Sequence, residues 1–186
     1  DFKGFGSLLV EDSVNEVNMT TKVVDRRGNV TEYDHSTYGT LIEKREFTKG
    51  LRKGEPEAFV TKHVYNKDRE VVQTILPLGN TIKYVYDEQN SSRLQQGNML
   101  LKTGLPGSLG GDQNFITTKM LYEPFYAQPR LVTDPRGMDP SFVPPIGSQS
   151  EKRYTTEYLF DYQEGDNAQA LSDAFGMSIG EINRLM

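Results

Sequence analysis

The chain has 186 residues, 35% of them hydrophobic and 25% charged, with a formal net charge of −5. Such a length suits one ordinary domain, for which roughly 100–200 residues is usual. Positive and negative residues alternate without a basic stripe that would neutralise phosphates, which argues against nucleic acid as a partner, and zero Cys excludes disulfides and thiolate metal sites.

Ten Tyr and nine Phe are more aromatics than a polar disordered segment carries, so the chain is predicted to fold with aromatic rings supplying much of its buried surface. No apolar run approaches the ~18–20 residues of a membrane span. The opening "DFKGFG" has neither an initiator Met nor the charged-then-apolar pattern of a signal peptide, and reads as a segment of a longer polypeptide.

In chain order, the first turn chemistry is Gly28-Asn29, inside "VVDRRGNVTEYD". Asp68 marks a second turn, and "EVVQTIL" then reads as a strand rich in β-branched residues. Pro77-Leu78-Gly79-Asn80 follows, with Pro to preset φ and Gly to take a positive one. In "NTIKYVYDE", Ile82, Tyr84 and Tyr86 fall on one face and Lys83, Val85 and Asp87 on the other, because strand side chains alternate. Glycine-rich Gln95 to Asn114 is predicted as an extended loop. "NFITTKMLY" reads as another strand and Asp134-Pro135-Arg136-Gly137 as another turn. Met138 to Ser150 holds Pro140, Pro144 and Pro145 and cannot be an interior strand. "YTTEYLFDY" returns to alternation. Ala168, Leu171, Phe175, Ile179, Ile182 and Met186 then take helical spacing, broken at Gly176 with Ser178 placed to cap a second helix. The expected architecture is all-β: tandem antiparallel hairpins over residues 1–165, with long loops near 95–114 and 138–150, closed by a short αα-hairpin over 166–186.

A phrase of aliphatic, aromatic, then acid or amide occurs four times: Val64-Tyr65-Asn66, Val85-Tyr86-Asp87, Leu121-Tyr122-Glu123 and Leu159-Phe160-Asp161. Its aromatics stand 21, 36 and 38 residues apart, a degenerate repeat with insertions. A Pro-x-Gly marker keeps step, with Gly79 14 residues after Tyr65 and Gly137 15 after Tyr122. The physical expectation is that rings at matched places pack on one another, while the acid or amide after each ring accepts N–H groups of the turn.

These phrases, with "VVDRRGNVTEYD", "ILPLGNTIKYVYDEQN", "PRLVTDPRG" and the opening "DFKGFG", resemble the RHS or YD-repeat family over Asp1 to about Gly165. The resemblance implies strand-turn-strand units wound into a spiralling sheet that forms a hollow shell. In bacterial polymorphic toxins and Tc-type insecticidal complexes such a shell encloses a toxic C-terminal segment; in teneurins a related shell serves adhesion. Asn66 and Glu123 depart from the family's Asp, and Phe160 from its Tyr. The family's self-cleaving aspartate signature is not evident. The implied role is a non-enzymatic structural section, secreted or at a bacterial cell surface. Its partners would be neighbouring repeats, an enclosed polypeptide, and other copies through free sheet edges. The implied structural residues are Tyr65, Tyr84, Tyr86, Asp87, Tyr122, Tyr158, Phe160 and Asp161, with turn glycines Gly28, Gly79 and Gly137.

No catalytic, cofactor or metal residue is assigned. His35 lies between Asp34 and Ser36, but neighbours on a strand point opposite ways, so a surface-turn histidine is expected rather than a triad. His63 is expected as a cross-strand partner, and Asp134 as a cap on the Pro135 turn. Two rival readings are an adhesion module that binds carbohydrate or a receptor through exposed Tyr, and DNA binding through Ser172 to Met186, where Arg184 is the lone cation. Asn-x-Ser/Thr triplets occur at Asn18, Asn29 and Asn90.

Overall fold

A computed structural model describes residues 14–110, 115–138 and 154–160, with Ser172, Asp173, Gly176 and Ser178. Among the described residues ten strands form one antiparallel sheet whose spatial order is the chain order. They are β1 (Met19–Val24), β2 (Val30–His35), β3 (Leu41–Phe47), β4 (Ala58–Tyr65), β5 (Val71–Ile75), β6 (Thr81–Tyr86), β7 (Met99–Leu105), β8 (Ile116–Tyr122), β9 (Pro129–Thr133) and β10 (Thr155–Glu157). One helical turn, α1 (Pro135–Met138), stands between β9 and β10. The chain divides into two compact units, Asp1–Tyr84 with Thr103–Phe115, and Val85–Lys102 with Ile116–Met186.

The all-β expectation holds. In β6, Ile82, Tyr84 and Tyr86 are half-buried while Lys83 and Val85 are exposed, as the period-two reading requires. One expectation is corrected. Gln95 to Asn114 is not a continuous loop, because β7 runs through it from Met99 to Leu105. Its apolar run Met99-Leu100-Leu101 is short and Gly104 lies within the strand, which obscured it; the partners on either side supply the ladder that a glycine-bearing segment lacks alone. The helical cap over 166–186 and the connection over 138–150 lie largely outside the described residues. Ser172 and Asp173 are helical, and Gly176 has φ +65°, the left-handed conformation expected at its break.

Among the described residues the buried apolar side chains are Val14 and Phe125, one in each unit. Asp34, Ser36, Thr74, Gln95, Glu123 and Thr133 are buried polar ones. Ladder bonds and cross-strand pairs therefore carry much of the cohesion. In the first unit a charged lattice covers one face of β1 to β4. Lys22, Glu32 and Arg45 stand opposite one another in one row, and Thr20, Asp34, Glu43 and Lys62 in the next. Arg45 ties the rows together through Asp34 at 2.7 Å, Glu43 at 3.0 Å and Glu32 at 3.2 Å. Lys62 meets Glu43 at 3.0 Å, and the Thr20 hydroxyl donates to Asp34 at 2.6 Å. Partial burial works against the Arg45 charge, but the bonds to Glu43 and Asp34 outweigh it and raise the guanidinium pKa.

Candidate functional site: the hairpin ends

The repeated phrases fall at the ends of alternate strands: Tyr65-Asn66 closes β4, Tyr86-Asp87 closes β6 and Tyr122-Glu123 closes β8. Leu159-Phe160 follows β10; Asp161 lies outside the described residues. One phrase thus belongs to one pair of strands, and His35-Ser36 occupies the same place at the end of β2. Spacing is irregular because loops differ in length while the strand pair is kept.

Tyr65 and Tyr122 share a geometry. Each is the last residue of its strand, and a register shift falls between Val64 and Tyr65 and between Leu121 and Tyr122. Such a bulge re-aims the following side chain. The Tyr65 phenol donates to the Leu41 carbonyl at 2.8 Å, and the Tyr122 phenol to the Met99 carbonyl at 3.0 Å. Leu41 and Met99 are the first residues of β3 and β7, so each ring pins the start of the preceding strand. Burial pushes both phenol pKa values up. These rings are therefore fastened by phenol-to-carbonyl bonds.

The residue after each ring closes the turn. The Asn66 side-chain oxygen accepts the N–H groups of Asp68 at 3.1 Å and Glu70 at 2.9 Å. Asp25 receives Arg27 and Asn29 in the same way, both at 2.8 Å, and the Ser36 hydroxyl receives Tyr38 and Thr40 at 3.1 and 3.3 Å. The bond to the Asn29 N–H leads in holding the Asp25 carboxyl below the usual range. Each of these turns spans five residues, and its fourth residue takes positive φ: Gly28 at 75°, Gly39 at 78° and Arg69 at 66°. Gly79 at 81° does the same after Leu76, whose N–H and C=O pair with Asn80 and Gly79. Glu123 instead accepts three N–H groups, from Phe125 at 2.8 Å, Tyr126 at 2.6 Å and Gln128 at 3.1 Å, and is fully buried. The buried Gln95 amide donates to its backbone carbonyl at 2.9 Å.

Other expected residues divide. Asp87 receives the Asn90 amide at 2.7 Å rather than the five-residue pattern, since its connection runs on to Asn98. Tyr84 and Tyr86 are half-buried, Phe160 likewise, and Tyr158 is exposed. Gly137 lies in the single helical turn α1 without positive φ, its N–H donating to the Asp134 carbonyl at 2.8 Å. The Pro135 marker opens a helical turn because the connection returns only at Tyr154, whose carbonyl receives the Asp134 N–H at 2.7 Å. Asp134 does cap that turn, accepting the Arg136 N–H and side chain, and the latter leads in lowering its pKa.

Asp34, His35 and Ser36 form no relay. Asp34 is held by Arg45, and the Ser36 hydroxyl is shared with Thr40 at 2.6 Å. His35 is corrected from a surface turn to the half-buried end of β2. His63 is the expected cross-strand partner, its Nδ1 3.1 Å from the Thr74 hydroxyl, and burial lowers its pKa. No group of His, Cys, Asp and Glu suited to a metal ion occurs among the described residues. No described helix is long and apolar enough to cross a membrane.

Residues missed in the sequence are Asp25 and Ser36, which an acceptor-x-x-Gly spacing would have flagged, and Asn15, which carries no local signal. The Asn15 amide clamps the Tyr65 backbone, receiving its N–H at 2.8 Å and donating to its carbonyl at 3.0 Å. Comparison with models of known protein families finds none that matches the chain. Comparison with curated proteins likewise finds none similar to it.

Proposed function

We propose that the chain is a non-enzymatic section of an RHS/YD-repeat shell, a wall of hairpins that encloses a polypeptide or is displayed at a bacterial surface. One observation carries this reading: Tyr65-Asn66 and Tyr122-Glu123, 57 residues apart, perform the same two tasks at the ends of equivalent strands. A unit that repeats its fastening, and not merely its hydrophobicity, can be multiplied along a sheet with stability adding unit by unit. Asp34, His35 and Ser36, each committed to strand or turn, agree with an architectural role.

The test is limited proteolysis of the intact gene product. A segment shielded by the sheet should resist protease under conditions that digest it when isolated. Cleavage at the isolated rate would overturn enclosure.

Adhesion is the second reading, favoured by Tyr126 and Tyr158, which are 55% and 49% exposed. Loss of glycan or receptor binding in Tyr126→Ala and Tyr158→Ala with unchanged melting would support it.

A further inference from the structure

In an antiparallel sheet taken in chain order, turns alternate between the two ends of the strands. Within the first unit the turns after β1, β3 and β5, at residues 25–29, 48–57 and 76–80, therefore share one end. The turn at residues 106–110 joins them, because the Ser108 N–H donates to the Leu78 carbonyl at 3.3 Å. Gly107 makes that approach possible: a Cβ there would meet the Leu78 carbonyl oxygen and stand 2.7 Å from the Asn80 nitrogen.

This end collects what the sequence scatters. Arg26, Arg27, Lys49, Arg52 and Lys53 are all exposed, in a chain whose net charge is −5. Lys49 bridges two of the turns, its ammonium 2.9 Å from the Arg27 carbonyl. Among the described residues the acids there are Asp25, Glu55 and Glu57. Asp25 is occupied by its own turn, and Glu55 faces the Arg52 N–H at 3.4 Å. Leu51, 83% exposed, stands between Lys49 and Arg52 in its turn, and Leu109, 82%, and Leu78, 56%, protrude from the other two turns at this end. Leucines standing into solvent at three turn tips leave most of their apolar surface uncovered in the unit that carries them.

We propose that this end of the first unit docks on an anionic lipid bilayer, the cations meeting headgroups and Leu51, Leu78 and Leu109 entering the interface. Exposed apolar tips and exposed Arg and Lys side chains at one end of a unit match the two layers of a membrane surface: anionic groups outside, hydrocarbon beneath. A nucleic-acid backbone offers the charge without the apolar layer, so the leucines select lipid. This surface stands on charge and exposure alone and does not depend on a shell.

The experiment is co-sedimentation of the chain with phosphatidylcholine vesicles, with and without phosphatidylserine. Phosphatidylserine should strengthen binding at least about tenfold. R52E/K53E should lose most of that gain. L51S/L109S should weaken binding several-fold and abolish what survives in high salt, with melting unchanged because all four side chains are exposed. Equal or absent binding to the two vesicle types overturns the proposal, as does binding unaltered by either double variant. Short duplex DNA that binds the parent and L51S/L109S equally, and as tightly as the anionic vesicles bind the parent, would make the surface a polyanion site and overturn the lipid assignment.

Discussion

The β4–β5 and β8–β9 hairpins solve the same closure with different parts. In both, a bulge re-aims a terminal Tyr, the phenol reaches back to the first carbonyl of the preceding strand, and the next side chain ties the turn. The turns differ by one residue, Asn66 to Glu70 against Glu123 to Gln128. A longer loop presents one more N–H, and the acceptor is correspondingly longer: Asn reaches two donors and Glu three. The extra methylene of Glu123 thus matches its longer turn, while Asn66 closes the same five-residue turn that Asp25 does. Burial also separates them, since Asn66 is half-exposed whereas Glu123 sits beneath Gln95 and its own turn.

The largest contrast should come from truncating the acceptors. Glu123→Ala strands several buried donors and should cost about 3 kcal/mol or more, while Asn66→Ala at a wetter turn should cost about 1 kcal/mol, read by urea denaturation. Equal costs would show that reach and burial do not set the strength of the closure.

Tyr65→Phe and Tyr122→Phe each remove one phenol-to-carbonyl bond and should each cost about 1 kcal/mol. A cost at only one site would break the equivalence of the two hairpins. The same pair predicts alkaline behaviour. Both folded phenol pKa values are raised, so their contribution is complete below the unfolded value of about 10 and is lost as pH rises through the folded values. Denaturation curves of the double Phe variant should therefore depend less on pH above about 10 than those of the parent.

The smallest effects should appear at the two non-glycine residues with positive φ. Ala127, φ 54°, should gain about 0.5 kcal/mol on replacement by Gly, the relieved strain being partly offset by the entropy glycine loses on folding. Arg69→Gly should gain less, because the Arg69 guanidinium lies 5.9 Å from the Tyr38 ring centre and loses that attraction. Thermal melts that rank Arg69 above Ala127 would remove the stacking explanation.

Strand alternation, the order of hairpins and the places where strands stop were legible in local sequence, because they rest on period-two patterning and on side chains acting within five residues of themselves. Ile82, Tyr84, Tyr86, Asn66 and Gly79 behave as their neighbours dictate. β7 was hidden because a glycine-bearing strand is made by its partners, and the Pro135 turn proved to be helical, where Gly137 needs no positive φ. Tertiary structure alone decided that Tyr65 reaches Leu41, that Asn15 clamps Tyr65, and that the turns with cations at 26–27 and 49–53 share one end of the first unit with those of Leu78 and Leu109. Those pairings join residues far apart in the chain, and only the antiparallel sheet, which returns every second turn to the same end, fixes which of them become neighbours.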